Sequence, residues 1–231
     1  MSRPRHPAPA RRRAAASLVV LAALAALTGC SAAAGPVAAP PARITPTAAP
    51  APPAAARVEP LARSLPVRVA LPSAGVDARG ILELGLNADG TVEVPSVEQA
   101  DRIGWYENGV TPGETGPAVL IGHFDTARGP AVLKDVARVR VGDRVTVTRA
   151  DGSAAVFRVR ELEQVDKDAF PTEKVYGDTR RPELRVITCG GALVDGHRPD
   201  NVILYADLVA TRPDRAGRST PVRAPEAQSA A

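Results

Sequence analysis

The spacing of short apolar runs between residues 62 and 211 limits this chain to an all-β fold. Within 143–149, for example, valines alternate with threonines, and the dipeptide Asp151-Gly152 then marks a hairpin before the next run. Helical patterns are brief and cover only 97–103 and 131–137. Strands separated by turns, with few and short helices, predict a sheet that closes or nearly closes into a barrel.

Aliphatic side chains have to build the core of this barrel. The chain has only three Phe, three Tyr and one Trp among its 231 residues, although 45% of the residues are hydrophobic. The run Ala118–Gly122 is apolar throughout and predicts a strand that is buried on both faces. Because the chain has only 2 Cys, a disulfide-stapled scaffold and a zinc ribbon are excluded.

Residues 1–30 are predicted to be an export signal. The arginines at 11–13 precede an uncharged apolar run over 14–27, which as a helix would span about 21 Å, short of the roughly 30 Å core of a bilayer. The run ends in Leu27-Thr28-Gly29-Cys30, which resembles the bacterial lipobox, a motif whose cysteine becomes lipidated. The alternative is an uncleaved signal anchor that continues past Cys30. Both place the following domain outside the cytoplasmic membrane.

Composition and charge separate the domain from its flanks. Residues 31–61 are predicted to be a disordered linker, since 12 Ala and 8 Pro occur within 31–60. The domain then covers 62–211, and 212–231 form a disordered tail. The flanks carry the positive charge, so residues 61–210 have a net charge of −4 within a chain of +4. An acidic domain argues against a nucleic-acid partner.

The candidate nucleophile is Cys189. It ends a predicted strand before Gly190-Gly191, so its thiol is either exposed there or buried as a small hydrophobic group. A reactive thiolate needs a basic partner, and His123 follows the apolar strand. Asp125 either orients this imidazole or caps the next turn. His197 lies in a polar turn and is expected to be solvated.

Other side chains near these two positions allow more than one interpretation. Arg198 precedes the last predicted strand and lies near Cys189 if the two strands pair. Its guanidinium either assists the thiol or is an ordinary solvated group. Thr188 is expected on the opposite face of the strand from Cys189, and Tyr176 either lines a pocket or packs in a loop. Two Cys and scattered His provide no metal-ligand set, so neither a metal nor another cofactor is expected.

Three segments resemble strands of the sortases, which are cysteine transpeptidases of Gram-positive cell surfaces. They are VLIGHFD at 119–125, VITC at 186–189 and NVILYA at 201–206. The longer segments GHFDTARGPAVLKDV, VGDRVTVTRADG, FPTEKVYG and LRVITCGG resemble the class F sortases of actinobacteria. The resemblance covers residues 64–210, and the order of histidine before cysteine argues against papain-like wall peptidases.

The resemblance implies a closed, eight-stranded β-barrel with Cys189, His123 and Arg198 gathered at one end. Cys189 would attack a carbonyl within a Leu-Pro-x-Thr-Gly (LPXTG) sorting motif to form a thioester, and His123 would protonate the leaving amine. Arg198 would stabilise the oxyanion. Many sortases have the arginine at the start of the last strand, where this chain has Asn201, so the Asn201 amide is the alternative donor.

The resemblance also implies the partners and the location of the protein. The partners are proteins that carry LPXTG-type signals and an amine acceptor such as a cell-wall precursor. From their positions, Asp125, Thr188 and Asn201 are expected to be supporting residues of the site. A monomer is expected, tethered to the outer face of the cytoplasmic membrane by a lipid on Cys30 or by a signal anchor.

Two other functions stay open on the sequence. A thiol hydrolase on the same fold would resolve the same thioester with water instead of an amine. A non-catalytic lipoprotein that binds cell wall or peptide would bury an inert Cys189 and satisfy His123 in its core.

Overall fold

Strands make up nearly all of the regular structure. The structure is a computed structural model that describes residues 47–48 and 58–213. Its strands are β1 (Thr47–Ala48), β2 (Pro66–Leu71), β3 (Val76–Arg79), β4 (Leu82–Leu84), β5 (Ile103–Tyr106), β6 (Gly116–Gly122), β7 (Asp125–Thr126), β8 (Gly129–Pro130), β9 (Arg144–Arg149), β10 (Ser153–Asp166), β11 (Pro182–Gly190) and β12 (Asp200–Pro213). The helix α1 spans Thr172–Tyr176. The all-β class with short helices is confirmed.

The two helical patterns of the sequence give only short 3-10 turns. The pattern at 97–103 gives Val97–Gln99, and the pattern at 131–137 gives Val136–Arg138. Further 3-10 turns of three residues each occupy Pro72–Ala74 and Lys167–Ala169.

The predicted closure of the barrel is wrong. The main sheet has ten strands, in the order β3-β2-β9-β10-β12-β11-β6-β5-β4, with β1 added alongside β10. The edge strands β3 and β4 are four and three residues long and do not pair with each other in the described part of the chain. Such short edges cannot supply a full ladder between the two ends of the sheet, so the sheet stays an open half-barrel rather than a closed eight-stranded barrel.

The strands that carry the candidate residues lie side by side near the middle of the sheet. β6 pairs in parallel with β11, with Leu120 opposite Val186, while β12 pairs antiparallel with β11. The carboxyl ends of β6 and β11 and the start of β12 therefore meet at one edge. All seven residues of β6 are buried, as the apolar run predicts.

Strand alternation divides the side chains of the sheet between two hydrophobic clusters. Leu120, Val186 and Leu204 belong to the larger cluster, which fills one face of the sheet. Ile187 and Ile203 belong to the second cluster on the other face, which also includes Val175 of α1. Cys189 lies two residues after Ile187 on β11 and Asn201 two residues before Ile203 on β12, so both share the face of the second cluster.

A buried charge network lies on this same face of β11. Glu183 is 4% exposed and accepts hydrogen bonds from Arg185 Nη2 at 2.8 Å, Arg160 Nη2 at 2.9 Å and Arg181 Nε at 2.9 Å. Arg185 is 1% exposed. Burial opposes ionisation of the Glu183 carboxyl, but these guanidinium groups outweigh it and lower its pKa. The network therefore satisfies charges that the sheet buries beside the strand of Cys189.

Several predictions on the flanks concern residues outside the described ranges. These are the signal peptide with Cys30, the tail after residue 213 and all of the linker except 47–48 and 58–61. Among the residues that the structure does describe, no helix is both long and apolar enough to cross a bilayer.

Replacing Glu183 with Gln should lower the free energy of unfolding by about 3 kcal/mol or more, because buried Arg185 loses its carboxylate partner. The folded-state pKa of Glu183 lies below its ordinary value of 4.5. The wild-type carboxylate therefore stabilises the fold above that ordinary value, and this contribution is lost as the pH falls through the lowered pKa. Urea unfolding of both proteins at neutral and acid pH measures the difference.

Glu98→Gln is the matched control, because Glu98 pairs with Arg128 on the surface, where both side chains are more than 60% exposed. This variant should change stability by less than about 0.5 kcal/mol. Equal losses of unfolding free energy in Glu183→Gln and Glu98→Gln would contradict the stabilising role of the buried network.

Candidate active site

Cys189 lies where β11 is about to end, in register with Asn201 of β12. The residue is half-buried, and its thiol forms no disulfide with any residue that the structure describes. Gly191 follows with φ +82°, a conformation that a residue with a side chain rarely adopts, and an added Cβ would approach the Asp200 carboxylate to 2.9 Å. The strand therefore ends at Gly190, one residue after the cysteine. A half-buried Cys189 differs from the fully buried, inert cysteine that a non-catalytic domain requires.

His123 follows β6 at the same edge of the sheet. Its Nε2 lies 2.6 Å from the carbonyl oxygen of Pro95. Because a carbonyl only accepts hydrogen bonds, Nε2 is the donor, and the neutral imidazole keeps its lone pair on Nδ1. The sequence gives no sign of this contact, since Pro95 lies in a loop 28 residues away and acts through its backbone.

Asp125 contacts Arg198 rather than His123. Arg198 Nε donates to Asp125 Oδ1 and Oδ2 at 2.9 and 3.0 Å, and Arg198 Nη2 donates to Oδ2 at 2.5 Å. Arg198 Nη1 donates to the carbonyl of Gly191, and the guanidinium lies 4.4 Å from the centre of the Phe124 ring. Arg198 is thus a fixed group with a 15% exposed side chain, not a solvated turn arginine.

The electrostatics of Arg198 connect it to the thiol. The hydrogen bonds to Asp125 are the largest cause of its raised pKa, and the charge of Asp125 and that of a Cys189 thiolate would act in the same direction. Arg198 and Cys189 are therefore within electrostatic reach of each other, as the pairing of β11 with β12 predicts.

Thr188 and His197 occupy the positions that the sequence suggests. Thr188 is 3% exposed, on the opposite face of β11 from Cys189, and its hydroxyl has no hydrogen-bond partner among the described residues. His197 is exposed, and Asp195 and Gly196 form the tight turn before it, with φ of +48° and +78°. His197 is thus solvated on a hairpin and apart from the site.

A groove with a volume of about 1160 Å³ joins the candidate residues, and His123, Thr188, Cys189 and Asn201 are part of its lining. Aromatic side chains form another part: the Tyr176 ring lies 6.1 Å from both the Tyr106 and the Phe170 rings. Tyr176 is therefore pocket lining as well as packing. Asp125 and Arg198 stand outside this lining. A concave groove whose lining is mainly apolar, with polar side chains among it, suits a peptide or small ligand.

Residues 69–209 match the family model described as the Sortase domain, and the chain belongs to the sortase family. It is therefore an enzyme, a cysteine transpeptidase. Sortases act at the cell surface on substrates with sorting signals and on amine acceptors of the cell wall.

The chain is similar to several individual proteins. Sortase D of Bacillus subtilis (strain 168) is 30% identical over 145 residues, which cover 60% of this chain and 67% of that protein. Among solved structures, the SrtA sortase of Actinomyces oris is 21% identical with a TM-score of 0.48, covering 73% of this chain and 92% of that one. Listeria monocytogenes sortase A is 15% identical with a TM-score of 0.48, covering 64% and 89%.

The thiol of Cys189 should react with a thiol reagent in the folded chain because it is half-exposed beside the groove. The reaction with Ellman's reagent is followed in a Cys30→Ser background, in which Cys189 is the one remaining thiol.

The control moves the thiol by one residue to the opposite face, in the double variant Thr188→Cys/Cys189→Ser. The buried thiol should react at least about tenfold more slowly, and should catch up only after unfolding. Equal rates in the folded state would contradict the assignment of the two faces.

Proposed function

We propose that this chain is a class F sortase that cleaves an LPXTG-type sorting motif through a thioester on Cys189 and transfers the acyl group to an amine. The observation that carries the proposal is the convergence of β6 and β11, which brings the half-exposed Cys189 and His123 to one groove. The class F assignment rests on the sequence resemblance in several segments of 119–191.

The first half of the reaction forms the thioester. The Cys189 thiol first gives its proton to Nδ1 of His123, and the resulting thiolate attacks the scissile carbonyl carbon of the motif, so that a C–S bond forms and the carbonyl electrons move to oxygen. The intermediate collapses with cleavage of the C–N bond, and His123 gives its proton to the departing amine. Since Nε2 of His123 is engaged by Pro95, we assign the proton exchange to Nδ1.

The second half releases the product. An incoming amine gives a proton to the now neutral His123 and attacks the thioester carbonyl, and the C–S bond breaks to restore the thiolate. Water can compete with the amine at this step, and the product then is a free acid. Hydrolysis and transpeptidation therefore share Cys189 and differ only in the acceptor.

Arg198 is the proposed donor to the oxyanion. Its support is the electrostatic coupling to Cys189 and a guanidinium that Asp125 and Gly191 hold in place. Asn201 is the second candidate, because it lies opposite Cys189 in the strand register and lines the groove.

The groove supports an apolar peptide as the ligand. Tyr106, Phe170 and Tyr176 form an aromatic cluster in its wall, and Val92 and Val94 extend the apolar surface. Such a wall suits the Leu and Pro side chains of the motif. We propose proteins with this signal as substrates and a cell-wall precursor as the amine acceptor. The enzyme would act as a monomer, attached outside the cytoplasmic membrane by a lipid on Cys30 or by a signal anchor.

Intact-mass spectrometry of the full chain with Cys30→Ser, mixed with an LPXTG-type peptide library and an added amine, tests the reaction. We expect an acyl adduct on Cys189 and an amine-linked product. The Cys189→Ala variant should form neither, and His123→Ala should react about 100-fold or more slowly. A folded enzyme that forms no adduct with any peptide would refute the proposal, and an adduct that yields only free acid would favour the hydrolase.

The two candidate oxyanion donors make different predictions. If Arg198 is the donor, Arg198→Lys should lower the acylation rate about 100-fold, because Lys cannot reproduce the planar guanidinium. Asn201→Ala should then have a much smaller effect. The reverse order of the two losses, measured by the rate of adduct formation, would assign the role to Asn201.

A further inference from the structure

We infer that Asp125 is a positioning residue that acts on the reaction through Arg198 and not through His123. The inference rests on the proposed function, in which Arg198 stabilises the oxyanion. Asp125 is close to His123 in the sequence, but in the fold its carboxylate contacts Arg198 in the β11–β12 loop.

The contact between the two side chains has the geometry that best fixes a guanidinium. Both carboxylate oxygens of Asp125 take part, at 2.9 and 3.0 Å from Arg198 Nε, with Nη2 at 2.5 Å from Oδ2. A two-pronged contact of this kind sets the plane of the guanidinium as well as its distance. The exposed fractions are 15% for the Arg198 side chain and 27% for Asp125, so water competes little.

Two further contacts complete the support of Arg198. The Gly191 carbonyl accepts a hydrogen bond from Nη1, and the Phe124 ring lies against the guanidinium at 4.4 Å. Of the five N–H groups of an arginine, three are then used in the described part of the chain. One N–H on Nη1 and one on Nη2 remain for a substrate oxygen, which is the pair that an oxyanion donor needs.

The three consecutive residues that follow β6 therefore make three different contacts. His123 donates to Pro95, Phe124 packs on the guanidinium face, and Asp125 holds the guanidinium edge. Within the described residues, the Asp125 carboxylate is engaged by Arg198 and no hydrogen bond joins it to the His123 imidazole.

If Asp125 positions Arg198, its loss should affect turnover more than substrate binding. Without the carboxylate, the long Arg198 side chain regains its rotamer freedom and meets the oxyanion less often. That contact forms in the transition state, so its loss lowers kcat and leaves KM nearly unchanged. A displacement of about 1 Å in such a group costs on the order of 100-fold in rate.

A double-mutant cycle in the full chain with Cys30→Ser tests this inference. Asp125→Asn should lower kcat about 10- to 100-fold with little change in KM, and Asp125→Glu should recover part of the loss. In an Arg198→Gln background, Asp125→Asn should cause no further loss, because the residue that it positions is gone. The pH profile of kcat should keep the limb that reports His123.

Asp77→Asn is the matched control. Asp77 on β3 accepts a similar two-pronged contact from Arg68, at 2.5 and 2.8 Å, but stands outside the groove lining. This variant should retain the wild-type kcat, and thermal unfolding of all variants separates loss of fold from loss of rate.

Three results would overturn the inference. One is that the losses for Asp125→Asn and Arg198→Gln multiply in the double variant, as independent effects do. Another is that Asp125→Asn shifts the limb of the pH profile that reports His123. The third is that Arg198→Gln keeps full activity. Failure of the proposed function itself has a different signature, since the unsubstituted site would then form no acyl adduct on Cys189.

Discussion

The parallel pairing of β6 with β11 is the constraint on which the rest of the molecule depends. Parallel neighbours run in the same direction, so the residues that follow them emerge at one edge of the sheet. His123 follows β6, Cys189 is the second-to-last residue of β11, and Asn201 near the start of β12 lies opposite Cys189. A parallel pair also needs a long connection, and the chain uses it to build β9, β10 and α1. The long connection between β6 and β11 thus contains strands and a helix that complete the sheet and the second hydrophobic cluster.

Buried charged side chains on the sheet face that carries Cys189 and Asn201 are paired with opposite charges. Further along β11, Glu183 is surrounded by Arg160, Arg181 and Arg185. Near the thiol, Asp125 and Arg198 form a second balanced group. Between these groups the face is aliphatic and aromatic and lines the groove, with Ile187 among its residues. The paired carboxylate cancels much of the arginine's charge but fixes the orientation of its N–H groups. Such an orientation suits a donor to the short-lived oxyanion of the intermediate.

Much of the site was predictable because its residues stand at strand ends. Cys189 before a Gly-Gly pair, His123 after an apolar strand and Thr188 on the opposite face all follow from local pattern and alternation. The partner of Asp125 was not predictable, because Arg198 lies 73 residues away and is brought near only by the pairing of β11 with its neighbours. The Pro95 carbonyl was equally hidden, since every residue has a carbonyl and only the fold selects one.

Residue patterns alone were enough for the all-β class, the aliphatic core, the buried β6 strand and the family resemblance, because alternation and composition are local properties. Folding in three dimensions decided that the sheet stays open, since closure depends on the length and meeting of its edge strands β3 and β4. It also decided which charges meet: Asp125 turns to Arg198, and His123 to Pro95. Such contacts depend on distances between segments far apart in the chain, and these distances exist only after the sheet has formed.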